Sequence, residues 1–179
     1  MKLLDRLLAL REAGNVERCH TALKIRPYNL AQHLWGTAVI VQLLWPEDTE
    51  LLKAALFHDV PERFTGDIPS VSIHWLGVEE NLERCEREIF SRLEIPCEHD
   101  LDAETWRRLR CADNLELLFW VFEEEALGNR TLTPFRKALM GRFNRLEDEG
   151  TLPPQVAKLL DQLEADGWHR HGAALPENQ

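Results

Sequence analysis

Apolar residues recur at three- and four-residue spacing along almost the whole chain, and nowhere alternate as a half-buried strand requires. That pattern restricts the 179 residues to helices packed on helices. The punctuation agrees. Residues 2–13 carry Leu3, Leu4, Leu7 and Leu8 on one side, and Gly14 follows as a stop. Asn29 with Gln32 three residues on forms a capping box, and the helix it opens runs to about Trp45, before Pro46. A helix over about 49–59 precedes a loop with Pro61, Gly66 and Pro69. Residues 78–93 place Val78, Leu82, Cys85 and Ile89 at helical spacing. A long helix covers about 101–127. Thr133 caps another, with Pro134 at its first position and Gly150 past its end, and a last helix runs from Pro153–Pro154 to near Gly167. The polar tail from His169 onward is expected to fray. With no repeat and no dividing linker, residues 1–179 read as one all-α domain. The six tryptophans fall largely on apolar faces and are expected in the core.

Charge and cysteine usage remove several classes of function. The formal net charge of -10 gives no global basic footprint for nucleic acid. A small anionic substrate would need local help from a metal or a few arginines. The longest apolar stretch falls far short of a membrane span, and Asp5 and Arg6 interrupt the leucine-rich start, so it reads as an amphipathic helix and not a signal peptide. Cys19, Cys85, Cys97 and Cys111 form no CxxC pair, which argues against a zinc knuckle. Reduced thiols in a cytoplasm are the expectation.

Against this background a few polar residues sit where helices should be apolar. His33 shares a face with Leu30, Leu34, Thr37, Ala38 and Val41. His58 shares one with Leu51, Ala54 and Ala55, and Asp59 ends the same helix. Asp113 lies between Trp106 and Leu109 on one side and Leu117 and Trp120 on the other. An unpaired buried carboxylate costs several kcal/mol, so Asp113 needs a partner. Two readings stand. Arg110, one turn back, is one partner. The other is a divalent ion such as Zn, Mn, Co or Fe held by His33, His58, Asp59 and Asp113, since imidazole and carboxylate together suit such metals.

The order His33…His58-Asp59…Asp113 resembles the HD-domain metal-dependent phosphohydrolase superfamily. The run "HDVPERFTGDIPS" at 58–70 is similar to the H-D-x-x-E-x-x-T-G-D-x-P-[ST] run of the bacterial 5′-deoxynucleotidase branch. "RCADNLELLFWVFEEEALGN" resembles the helix carrying that branch's last metal Asp, and Arg18 and Arg26 stand at the family's distances from His33. The resemblance covers roughly residues 15–130, and phage enzymes that destroy dATP belong to the same branch. It implies a helical bundle of the HD type and a homo-oligomer. It implies one divalent ion (Zn, Co or Mn) on His33, His58, Asp59 and Asp113. Glu62 would be the general base or acid on a metal-activated water. Asp67 and Ser70 would hold the sugar or phosphate end, with Asp67 favouring a 2′-deoxy sugar, and Arg18 would hold the phosphate.

Taken singly, each of these residues has an ordinary reading. Glu62 follows Pro61 in a first helical turn and suits the helix dipole. Asp67 follows Gly66 in a turn, Ser70 is a loop hydroxyl, and Arg18 is a loop cation. The family has a Trp directly after the first Arg, where this chain has Cys19 and then His20. A thiol supplies neither the packing wall nor the N–H of an indole, and Trp35 and Trp75 are the nearest substitutes in sequence.

The implied activity is hydrolysis of the 5′-phosphate of deoxynucleoside monophosphates. The runner-up is a deoxynucleoside triphosphate phosphohydrolase of the dATP type. Lys24, Arg26 and Arg63 are cations that could supply positive charge at the phosphate end, though sequence does not place them. A helical domain with a structural metal is the non-enzymatic alternative, and Glu62 argues against it, since a closed structural site needs no proton-transfer group.

Overall fold

The structure is a computed structural model that describes residues 1–166. The polar tail and the glycine expected to end the last helix lie outside the described residues. Helix α1 spans Leu3–Ala13, α2 Leu30–Leu44, α3 Thr49–Phe57, α4 Glu62–Thr65, α5 Ser70–Leu76, α6 Glu79–Leu93, α7 Ala103–Ala126, α8 Thr133–Asp148 and α9 Pro154–Asp166. Short 3₁₀ turns at Glu98–Asp100 and Arg130–Leu132 precede α7 and α8. Among the described residues the only extended pairing is an isolated bridge between Glu17 and Asn29.

Four helices frame the molecule. The long α7 lies against α2 and α3, and α8 packs on its other side. The main core joins Ala38 and Val41 of α2, Leu51 and Ala55 of α3, Leu115 and Leu118 of α7, and Leu139 and Phe143 of α8. Each fully buried Leu or Phe contributes about 1.5–3 kcal/mol relative to exposure. A smaller cluster collects Ala13, Leu30, Leu34, Val60, Ile89 and Leu93, which brings α1 and α6 onto the start of α2. The capping box at α2 forms in full: Asn29 accepts from Gln32 N, and the Gln32 side chain accepts from Asn29 N. The start of α2 is thereby fixed, and with it the face that carries His33.

Several expectations fail in instructive ways. The leucines Leu3, Leu4, Leu7 and Leu8 of α1 face solvent, and the helix instead docks through Ala9, Leu10 and Ala13. Arg6 sets that orientation by donating to the carbonyl of Leu93 and pairing with Glu94. Of the tryptophans only Trp45 and Trp120 are buried among the described residues; Trp35, Trp75 and Trp106 are exposed. The loop after residue 59 contains two helices that periodicity could not show, because α4 and α5 are too short to present an apolar stripe. Gly66 separates them with φ 76° and ψ 165°, a conformation costly for any residue with a Cβ.

Candidate metal centre

Each element delivers its ligand for a local reason. The second turn of α2 turns His33 fully inward, and α3 ends in His58, which is 2% exposed, followed by Asp59. Asp113 sits mid-way along α7 at the same depth, 7% exposed. One donor atom from each of the four lies within 4.8 Å of all the others. His33 Nε2 is 3.2 Å from His58 Nε2, 3.3 Å from Asp59 Oδ2 and 3.3 Å from Asp113 Oδ1.

The partners behind the imidazoles decide what these atoms are. His58 Nδ1 lies 3.1 Å from the carbonyl of Ala55, which can only accept, so Nδ1 carries the hydrogen and Nε2 presents its lone pair. His33 Nδ1 donates to Glu116 Oε2 at 2.5 Å, and Tyr28 donates its hydroxyl to the same oxygen. Lone pairs of two imidazoles and two carboxylates therefore converge on one point, an arrangement that only a cation relieves. Burial and Arg18 oppose protonation of His33, yet Asp113, Asp59 and Glu116 raise its pKa well above the usual value. A proton is the smallest cation that answers the same crowding. Burial lowers the pKa of His58, so that ring stays neutral, as a ligand must. Burial alone would raise both carboxylates. Asp59 is instead held well below the ordinary range by His58, Arg18 and His33, and Asp113 by Arg110 and His33. The donor set fits one divalent ion.

The two oxygens of Asp113 face different partners, Arg110 being the one the sequence offered as an ion pair. Oδ1 faces His33 and Oδ2 pairs with Arg110 Nη1 at 2.9 Å.

Over this centre opens a cavity of about 730 Å³. Arg18, Asp59, Glu62, Asp67, Ser70 and Asp113 all line it. Arg18 is 9% exposed, and its Nη1 bridges Asp59 Oδ2 at 2.5 Å and Glu62 Oε1 at 2.9 Å. It is carried there by the loop after α1, which folds back so that Arg18 N donates to Tyr28 O. Glu62 Oε2 and Arg18 Nε are buried with no protein partner. Burial, Asp59 and Asp67 outweigh Arg18 and push the Glu62 carboxyl up to about 8. Asp67 Oδ2 accepts from Cys19 N at 2.7 Å. Cys19 holds φ 50°, so the residue standing where the family has Trp contributes its backbone N–H to this contact. Ser70 begins α5 at the exposed rim.

Other expectations are corrected. Neither Trp35 nor Trp75 reaches the cavity; Trp106 is the tryptophan on its wall. Lys24 pairs with Glu17, Arg26 with Glu123 and Glu124, and Arg63 with Glu12, and none of the three lines the cavity. The cations that do are Arg18, Arg110 and Arg142. His99 also lines the cavity, beside Glu86, 2.8 Å away, and Glu98. Sequence reasoning also missed Glu116 and Tyr28. For Glu116 a signal existed, an acid one turn after Asp113 on the same face of α7.

A sequence model of the HD domain family matches residues 14–164. The chain belongs to the HD domain family. Its all-α architecture recurs in solved structures as well. An HD-domain phosphohydrolase from Listeria innocua superimposes with a TM-score of 0.72 at 22% identity, covering 93% of this chain and 89% of that one. The HD phosphohydrolase DatZ of cyanophage S-2L, solved with dA and one catalytic Zn²⁺ ion, gives 0.69 at 19% identity, covering 93% and 96%. At such identities the likeness establishes the HD fold. A dATP triphosphohydrolase of Salmonella phage PMBT28 is 31% identical over 130 residues, covering 64% of each chain, so this HD domain spans less than two thirds of that relative's length. Among the described residues, no helix is long and apolar enough to cross a membrane.

Proposed function

We propose that this HD domain is a metal-dependent phosphohydrolase of 2′-deoxyribonucleotides that cleaves the phosphate ester at the 5′ oxygen. The observation that carries this reading is the convergence of His33, His58, Asp59 and Asp113 beneath a cavity that also presents Glu62 and Arg18. Those four residues would hold one divalent ion (Zn, Co or Mn), which when bound supplies Lewis acidity and lowers the pKa of water to about 7.

The remaining work falls to the chain. Arg18 has donors left beyond its bonds to Asp59 and Glu62, and a planar guanidinium there suits a phosphoryl oxygen. Glu62, with one carboxylate oxygen unpartnered, takes a proton from the attacking water and returns one to the leaving O5′. The water oxygen bonds to phosphorus, the P–O5′ bond breaks, and the proton ends on the nucleoside. Asp67, fixed by Cys19 N–H, faces the sugar, and Ser70 closes the rim.

The same centre serves two substrate lengths. The 5′-deoxynucleotidase resemblance favours the monophosphate. The similarity to a dATP triphosphohydrolase and to a phage enzyme solved with dA favours the triphosphate, releasing deoxynucleoside and tripolyphosphate, and that is the version adopted here. The test is product release from dNMPs, their ribo counterparts and dNTPs by metal-stripped protein with Mn, Co or Zn restored. The Glu62→Gln variant should keep its metal and lose roughly 10²–10⁴ in turnover. Equal rates for the variant and wild type would remove Glu62 from the mechanism.

A further inference from the structure

The cavity above the metal centre is electrically lopsided. Glu79, Glu83 and Glu86 of α6 line one side, with Glu98 beside them. Arg110 of α7 and Arg142 of α8 line another. Elsewhere Arg6, Arg26, Arg63, Arg87 and Arg136 each reach a carboxylate. Arg142 does not: among the described residues it makes no ion pair, although it is half-buried. Its Nη1 donates to Asn114 Oδ1 at 2.7 Å, and Asn114 Nδ2 donates to Arg110 O at 2.6 Å. The Asn114 amide is thus locked to the α7 backbone and holds a guanidinium of the neighbouring helix α8 against α7. Burial, Arg110 and Arg145 lower the Arg142 pKa, and Asp113 opposes them only in part.

Arg110 has one close acid, Asp113. That carboxylate is also in the candidate metal donor set, so a cation held there would compete with Arg110 for its charge. Glu98 stands further off, and burial and Asp59 push its carboxyl up to about 8, which keeps it largely protonated at neutral pH. Arg110 and Arg142 thus line one cavity and feel each other's charge, with Asp113, the acid between them, left to offset two guanidiniums. Such a pair matches the oxygens of a polyphosphate.

We propose that Arg110 and Arg142, braced by Asn114, form an anion subsite that receives the β- and γ-phosphates of a deoxynucleoside triphosphate. This rests on the phosphohydrolase reading above and decides between its two substrate lengths. The acidic side of the cavity repels the tail and leaves it one direction. A monophosphate, ending at the metal centre, makes no use of Arg142.

The test compares wild type, Arg142→Gln and Arg142→Lys with matched dNTP and dNMP pairs, and measures binding of inorganic tripolyphosphate to the metal-loaded protein by calorimetry. Loss of a charged hydrogen bond predicts that Arg142→Gln raises KM for triphosphates and Kd for tripolyphosphate about 10- to 100-fold. kcat should change far less, the loss for the matching dNMP should be at least tenfold smaller, and Arg142→Lys should recover part of it. Equal losses for mono- and triphosphate, or unaltered tripolyphosphate binding, would overturn the proposal. A loss confined to one base would assign Arg142 to the nucleobase and overturn it equally. Wild type active on monophosphates alone would sink the subsite but keep the phosphohydrolase. Inactivity on every nucleotide would sink the phosphohydrolase, leaving tripolyphosphate binding to judge the subsite.

Discussion

Removing Glu116 should weaken metal binding without touching a metal ligand. Its Oε2 accepts from His33 Nδ1 at 2.5 Å and from the Tyr28 hydroxyl, in a region where His33 is fully buried. Loss of a carboxylate that orients a ligating histidine typically costs 10- to 100-fold in metal affinity, about 1.4–2.7 kcal/mol. The structure places Glu116→Ala near the lower end of that range, because Tyr28 Oη already lies 3.1 Å from His33 Nδ1 and can accept its hydrogen instead. The double variant Tyr28→Phe/Glu116→Ala removes that substitute and should approach the upper end. The ring of Phe keeps the stack on Trp120, at 4.6 Å between centroids, so packing is conserved. Gly36→Ala should act in the same direction, since a Cβ there would lie 2.6 Å from Glu116 Cγ and displace the carboxylate. Competition against a chelator of known affinity measures each Kd. Affinities within twofold of wild type for both Glu116→Ala and the double variant would refute the argument that His33 is held by this pair.

Asp113→Ala removes one donor and strips Arg110 of its acid, so elemental analysis should find metal at background; wild-type content would break the ligand assignment. With metal at a thousandfold its Kd, binding adds about 4 kcal/mol, so chelation should lower the melting temperature by roughly 8–16 °C, and an unchanged melting curve would mean the ion does not bind the folded chain. Glu98, raised to about 8 mainly by burial, binds its proton more tightly folded than unfolded, so its contribution is full below about 4.5 and is lost as pH rises through about 8. Metal-free Glu98→Gln should therefore lose less stability than wild type between those values; parallel melting curves across the range would contradict the burial of this carboxyl.

What the sequence revealed followed from local rules. His33, His58 and Asp113 stood out because polar groups on a helix's apolar stripe need a reason, and the Asn29 box marked the start of α2 because capping is settled within four residues. The cations at the cavity were misread for the opposite reason. Lys24, Arg26 and Arg63 lie near the site residues in sequence, but ion pairing is decided in space, and Glu17, Glu123, Glu124 and Glu12 claim them. Arg142 gave no sign, because its neighbour Asn114 belongs to another helix. The leucines of α1 misled because periodicity shows that a helix has an apolar side, not that the chain will cover it.

The four side chains of the candidate metal centre do not meet the cavity equally. Asp59 and Asp113 line it, while His33 and His58 stand behind them, sealed by the core. An ion held there would enter and leave past the carboxylates, through the opening that the proposed substrate would use. Metal exchange and turnover would then share one door. A nucleotide lodged in the cavity should slow escape of the ion, so metal-loaded protein should lose its ion to a chelator faster without nucleotide than with it.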